Sequence, residues 1–251
     1  MGKSPNIIVG RKPVLDAIGD FTPISSLWID STLKGPVEME LRKAAKAQNI
    51  PIKRVNRTIL DRKYKVNHQG IIAYTSPIKF QELNDIIPAV YESGQVPFFL
   101  YLDRVQDVGN LGSIIRTAEA LGVHALIIPS KKSAPINEQV VKISAGAVHN
   151  LPIVRIHSVH DTLELLTNNG IQILSSSLKA KKSIDFIDLT VPLCLVVGSE
   201  ETGISNDIEK KSDDLFSIPQ IGKTESLNAA IATGIITYEV QRQRRIESTS
   251  P

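Results

Sequence analysis

The stretch 98–122, FFLYLDRVQDVGNLGSIIRTAEALG, decides the fold class. Residues 98–102 form an apolar run too short for a helix, as expected of a strand buried on both faces. A polar turn with glycines follows, and then a helical pattern expected to begin near Ser113. Working outward, the same unit recurs. HALIIP (124–129), IQILSSS (171–177), PLCLVVG (192–198) and DLFSIP (214–219) are short apolar segments separated by helical stretches, the last running from a cap at Ser226 through Arg244. This alternation predicts an α/β domain over 98–251, a mostly parallel sheet with helices on both faces.

Toward the amino terminus the periodicity is of the same kind but the unit is smaller. KPVLDAI (12–18) and EMELRKAAKAQN (38–49) read as helices, and SSLWID (25–30), PIKRV (51–55) and GIIAYTS (70–76) as strands. They predict an α/β domain over residues 1–77. Between the two, residues 78–97, IKFQELNDIIPAVYESGQVP, hold two prolines and a glycine and read as a linker with a single helical turn.

Charge divides along the same line. Residues 1–79 carry 14 Lys and Arg against 6 Asp and Glu, a net of +8, while the remaining 15 and 20 leave −5. Clustered cations on one module are the footprint of a polyanion partner. They gather at Arg42, Lys43, Lys46, Lys53, Arg54, Arg57, Arg62, Lys63 and Lys65. Arg54, Arg57, Arg62 and Lys63 are the expected contacts to that polyanion, a nucleic acid such as RNA being the commonest, with Lys179, Lys181 and Lys182 as the alternative location. Tyr64 is the only aromatic among the loop's charges, so backbone and shape recognition is expected ahead of base stacking.

Several functions are excluded. No apolar run approaches the ~20 residues of a membrane span, and MGKSPNIIVGRKP lacks the apolar core of a secretion signal, so a cytoplasmic protein with no membrane partner is expected. A single cysteine, Cys194, inside VPLCLVV, allows no internal disulfide or multi-cysteine zinc site. It is expected to be buried and inert. The histidines 68, 124, 149, 157 and 160 have no metal-ligand spacing, and no metal is expected; the last two flank a helix start in which Ser158 and Asp161 form a capping box. There is no G-x-G, which removes the dinucleotide fingerprint, and Gly198–Gly203 is followed by Ile-Ser where a phosphate loop needs Lys-Ser/Thr.

Three polar loops remain, each at the C-terminal end of a predicted strand, the edge where open α/β sheets bind ligands. In the first, Arg116 falls in the first turn of its expected helix, beside free amides that favour a phosphate or ribose. An ion pair with Glu119 at i, i+3 explains it equally well. In the second, VVGSEETGIS, Gly198 lets a ligand approach the backbone and Glu200 supplies a carboxylate. In the third, IPQIGKTESLNAAIATG, capping accounts for Ser226 but not for Asn228, a weak helix former whose amide both donates and accepts.

NLGSIIRTA (110–118), GSEETG (198–203) and IPQIGKTESLN (218–228), in this order, closely resemble the signature motifs of the SpoU (TrmH-like) family of RNA 2'-O-ribose methyltransferases. AGAVHNLPIV (145–154) also looks like family sequence. GRKPVLDAI (10–18) and HQGIIAY (68–74) resemble the ribosomal-protein-like substrate-binding domain of its rRNA-modifying members. The resemblance implies a SPOUT-type domain with a deep trefoil knot, against the general rule for chain topology. It also implies a homodimer with cofactor sites near the interface, and S-adenosylmethionine as methyl donor. By motif position Gly198, Ile218 and Leu227 would hold the cofactor largely through backbone groups, with Gln220, Ser226 and Glu200 nearby. Asn110, Arg116 and Asn228, with Glu200, would form the catalytic cluster. Guanidinium stays protonated in proteins, so Arg116 is expected to orient the ribose hydroxyl and a phosphate rather than act as base.

The two-domain layout implies 23S rRNA, or a ribosome assembly precursor, as substrate, and a guanosine as the nucleotide. A tRNA substrate and a non-catalytic RNA-binding protein on the same fold are the alternatives. Three positions depart from the family pattern: Val108 where proline is usual, Arg104 where glycine is common, and Ala230 where many members have serine.

Overall fold

The computed structural model describes residues 7–249. The chain divides into two compact units, one reaching to Lys79 and including Pro135–Asn137, the other comprising Phe80–Ala134 and the chain from Glu138.

The first unit runs β1 (Ile7–Val9), α1 (Arg11–Gly19), β2 (Ile24–Asp30), α2 (Pro36–Ala47), β3 (Ile52–Val55), α3 (Arg57–Lys63) and β4 (Ile71–Thr75). Its sheet has the order β1-β4-β2-β3, with β2 and β3 parallel and the other pairs antiparallel. Side chains alternate across a strand, so each face has its own cluster. Leu27, Ile29, Ile71 and Ala73 pack with Val14 and Ile18 of α1 and Leu41 and Ala45 of α2. On the opposite face Ile72 and Val55 pack with Leu60 of α3, and Trp28, Tyr64 and Tyr74 border them. Helix α3 occupies what the sequence presented as a charged loop. Asn56 starts it by accepting the Thr58 N–H at 3.1 Å, and its one fully buried side chain, Leu60, is too little periodicity to read in advance.

The second unit contains α4 (Leu83–Glu92), β5 (Phe98–Asp103), α5 (Val108–Ala120), β6 (Ala125–Pro129), α6 (Glu138–Ile143), β7 (Ile153–Ile156) and α7 (Val159–Asn168). It continues through β8 (Gln172–Ser176), β9 (Lys182–Ser183), β10 (Leu193–Gly198), α8 (Asn206–Glu209), β11 (Asp214–Ser217) and α9 (Ala229–Thr249). The sheet order is β7-β6-β5-β10-β8-β11-β9, parallel throughout. One face buries Phe99, Tyr101, Ala125, Ile127, Cys194 and Val196 beneath α4, α7 and α8. The alternate residues, Phe98, Leu100, Leu126 and Leu195, are fully buried too. On that side α5 packs against α6 and α9. Burial on both faces explains strands that read as unbroken apolar runs. Cys194 is buried, and burial pushes its thiol well above the usual range, as an inert thiol requires.

Two expectations are corrected here. The stretch read as a linker holds the ten-residue helix α4, despite Pro88 within it. Leu83, Ile86, Ile87 and Val90 recur at i, i+3, i+4 and i+7 and are all buried. Each contributes about 1.5–3 kcal/mol on leaving water. Helix α5 begins at Val108, not near Ser113, because Asp107 caps it by accepting the Asn110 N–H at 2.7 Å. Gly112 tolerates its place inside the helix because α6 lies so close: a Cβ there would stand 2.7 Å from Ile143.

Candidate active site

The three polar loops leave β5, β10 and β11, of which β5 and β10 are adjacent while β8 separates β10 from β11. Asp103 and Gly198, the last residues of β5 and β10, are register partners, so the first two loops start side by side. The buried Asp103 carboxylate accepts from Ser205 N at 2.7 Å and from Arg104 Nε at 3.1 Å, while Arg104 Nη2 donates to Gly203 O at 3.0 Å. This pair holds the 198–205 loop against the end of β5. Arg104 has φ 61°, the left-handed region. Glycine adopts it without strain, which accounts for the family's preference at this position. Val108 is the first residue of α5, where proline's fixed φ is pre-organised and its missing N–H costs nothing.

Within the second loop Gly203 N donates to Ser199 O at 2.9 Å, closing a tight turn. A Cβ on Gly198 would lie 2.1 Å from the Gly203 carbonyl carbon. The close approach that demands this glycine is therefore to the loop's own backbone rather than to a ligand.

The loops then converge on one carboxylate. Glu200 Oε1 accepts from Asn110 Nδ2 at 2.9 Å, Asn228 Nδ2 at 2.6 Å and Ala229 N at 3.1 Å. Asn228 Nδ2 also reaches Asn110 Oδ1 at 2.9 Å. Asn228 Oδ1 accepts from Ala230 N at 3.0 Å and Ile231 N at 3.2 Å, so Asn228, not Ser226, caps α9. Ala230 contributes there through its backbone N–H, consistent with a position that needs no hydroxyl.

Arg116 lies apart from this network. It is exposed in the third turn of α5, away from the free amides of the helix start. Among the described residues it makes no ion pair; Glu119, its expected alternative partner, instead accepts from Asn150 Nδ2 at 3.3 Å. The structure thus joins Asn110, Glu200 and Asn228 and leaves Arg116 a free cation on the helix that carries Asn110.

Beside the network a cavity of about 280 Å³ opens at the C-terminal edge of β8, β10 and β11. Gly198, Glu200, Ile218, Gln220, Ser226 and Leu227, all picked out from the sequence, line it. Glu201, Glu209 and Lys179 line it too, and these were not foreseen as site residues. From sequence Lys179 reads only as an alternative RNA contact, and no spacing links residues 177–179 to the loop at 198. Among the described residues no group of three or more His, Cys, Asp and Glu could hold a metal, and no helix is long and apolar enough to cross a membrane.

The expected RNA contacts on the first unit divide into two kinds. Arg54 is tied to the buried Glu38, which also accepts from Arg42 Nη2 at 2.6 Å. The Arg42 hydrogen bond, with Arg54 behind it, holds the Glu38 carboxyl below its usual range. Arg57 stands 3.9 Å from Asp30 and 4.0 Å from Asp61. Arg62 and Lys63 have no carboxylate partner among the described residues.

The model of the SpoU rRNA methylase family matches residues 97–238, and that of RNA 2'-O ribose methyltransferase substrate binding matches 7–81. A Bacillus subtilis protein named as a TrmH family tRNA/rRNA methyltransferase, YacO, is 35% identical over 245 residues, covering 97% of this chain and 98% of its own. The chain belongs to the SpoU family of RNA methyltransferases. Among solved SpoU structures, AviRb from Streptomyces viridochromogenes in complex with the cofactor AdoMet superposes with a TM-score of 0.61 at 26% identity, over 96% of this chain and 90% of that one. The A. aeolicus TrmH/SpoU tRNA modifying enzyme is 32% identical, with a TM-score of 0.56, over 66% of this chain and 86% of its own. The SpoU motifs coincide with the hydrogen-bonded loops just described.

Proposed function

We propose that the protein transfers a methyl group from S-adenosylmethionine to a ribose 2'-hydroxyl of RNA, a guanosine of 23S rRNA in the free RNA or an assembling particle. The observation that carries this reading is the Asn110–Glu200–Asn228 network beside the cavity. Three glutamates against one lysine line that cavity, a negative excess that suits a cofactor bearing a sulfonium. When bound, S-adenosylmethionine supplies an electrophilic methyl. Backbone groups of Gly198, Ile218 and Leu227 would hold it, with Gln220 and Ser226 beside them. Glu200 fixes both asparagine amides and the start of α9, so that the amides present fixed dipoles to the ribose. Arg116 orients the 2'-hydroxyl and an adjacent phosphate, and positioning of this kind supplies much of the acceleration.

A full substrate-binding unit over 7–81, where tRNA-acting members often have only short basic extensions, favours rRNA over tRNA. The homodimer and trefoil knot implied by the resemblance belong to the same reading. Ile231, Ile235, Tyr238 and Ile246 stand exposed along α9, a stripe that a second copy would cover.

The test maps ribose methylation of rRNA and tRNA in a deletion strain carrying wild-type protein or Arg116→Ala. A missing 23S rRNA methyl that only wild type restores is expected, with the variant at least about a hundredfold slower. Arg116→Lys, which keeps the charge and loses the planar fork, should fall between them. Loss of a tRNA methyl with rRNA unchanged would move the assignment to tRNA. Failure of the folded protein to bind S-adenosylmethionine in a calorimetric titration would leave a non-catalytic RNA-binding protein.

A further inference from the structure

Strand alternation gives the first unit's sheet a second kind of surface, on the face away from α1 and α2. Trp28 of β2, Tyr74 of β4 and Lys53 of β3 lie there, with Trp28 directly opposite Lys53 in the parallel register. The Trp28 and Tyr74 ring centroids are 5.1 Å apart, and Tyr64, at the end of α3, adds a third ring 6.3 Å from Tyr74. Lys53 Nζ and Lys63 Nζ each stand 4.7 Å from the Trp28 centroid. The rings are half-buried and both lysines exposed.

Charge separates this face from the rest of the unit. Arg54 and Arg57 face carboxylates, whereas among the described residues neither Lys53 nor Lys63 has one. Uncompensated ammonium groups held against aromatic faces match the two halves of a nucleotide, its phosphate and its base. We propose that Trp28, Tyr74, Lys53 and Lys63 form a contact site for an unpaired nucleotide of the RNA substrate. The lysines take its phosphates and the indole takes its base. The site rests on the reading that this unit grips RNA, and it adds stacking to the backbone recognition expected from sequence.

Trp28 is the only tryptophan in the chain, so its emission reports on the site directly. The full chain is titrated with a single-stranded oligoadenylate of about 12 nucleotides and with a duplex of equal length, following Trp28 emission and the anisotropy of labelled RNA. The single strand should quench Trp28 in step with anisotropy. Lys53→Gln with Lys63→Gln should bind about tenfold more weakly, with a salt slope shallower by about 1.4, two phosphate contacts' worth. Trp28→Phe, which keeps a ring, should retain most of the affinity that Trp28→Ala loses. Binding with unchanged Trp28 emission, and lysine variants of wild-type affinity, would overturn the site while leaving the unit's grip on RNA intact. Absence of an anisotropy change with either RNA would overturn both.

Discussion

The two ends of the large sheet are built on opposite principles, and α9 is fastened at both. At the C-terminal edge its start is held by Glu200, through Ala229 N and the Asn228 cap. The groups there are largely exposed, Arg104 and Gly203 sit in the left-handed region, and Arg116, further along α5, has no partner among the described residues. At the N-terminal edge Arg244 donates to four carbonyls: Val96 O at 2.8 Å, Val191 O at 2.9 Å, Pro97 O at 3.0 Å and Leu189 O at 3.2 Å. Gln243 adds a bond to Ile187 O and accepts the Leu189 N–H. Burial pulls Arg244 down to about 10, so it remains a cation at neutral pH. One edge leaves hydrogen-bonding capacity for a ligand and the other exhausts it on the fold. A tied-down end and an exposed but capped end on one helix are what pre-organised chemistry requires.

The sharpest way to break this contrast is Gly198→Ala. The added methyl would meet the Gly203 backbone at 2.1–2.2 Å, which no side-chain rotation relieves, so the 199–203 loop must move. Glu200 moves with it, and the donors of Asn110, Asn228 and Ala229 lose their common acceptor. Cofactor binding measured by calorimetry should fall below detection while the far-ultraviolet dichroism of the sheet and helices persists. A variant with wild-type affinity would mean that the loop does not shape the cavity.

Arg244→Ala tests the other edge and should behave inversely. Four carbonyls lose a charged donor, at a cost of about 3 kcal/mol in denaturant unfolding. Arg244→Lys, a single point donor in place of a planar fork, should recover part of that. Cofactor affinity at temperatures where the variant is folded should stay near wild type, since the binding edge lies at the far end of the strands. If affinity fell as steeply as stability, the two ends of α9 would be coupled rather than separate.

Which parts of this arrangement were legible in advance follows from how local each signal is. The strand ends at Asp103, Gly198 and Ser217 follow, to within two residues, from short apolar runs closed by polar or glycine-bearing turns, because a strand buried on both faces leaves that mark. Helix α4 was legible in its i, i+3, i+4, i+7 apolar spacing, but Pro88 and Gly94 masked it. The start of α5 at Val108 is hidden because Gly109 and Gly112 argue against a helix locally, while the packing of Ile143 on Gly112 favours one across 31 residues. The motifs identify Asn110, Glu200 and Asn228, yet nothing in them gives the single Glu200 oxygen on which Asn110, Asn228 and Ala229 N converge. Arg104 to Gly203 and Arg244 to Val96 span 99 and 148 residues, and no periodicity reports a contact of that range. On the first unit the charge total was right, but its division into compensated Arg54 and uncompensated Lys63 required the position of Glu38.

The smallest effect expected at the N-terminal edge is a pH dependence. His124 Nδ1 accepts the Phe98 N–H at 3.0 Å and Nε2 pairs with Gln95 Oε1 at 2.7 Å, so the fold needs a neutral ring donating through Nε2. Burial, with the Arg244 charge nearby, holds His124 below its ordinary value of 6.5. The unfolded chain therefore takes up this proton first as pH falls. The contribution is complete above pH 6.5 and is lost progressively below it, toward the lower folded-state value. In denaturant unfolding between about pH 7.5 and 5.5, wild type should lose stability with a slope of up to one proton, about 1.4 kcal/mol per pH unit. His124→Asn keeps an acceptor for Phe98 N–H but cannot titrate, so its stability should change less over the same interval. Parallel slopes for the two proteins would show that the titrating group lies elsewhere and that this edge, like Arg244 within it, is insensitive to proton uptake.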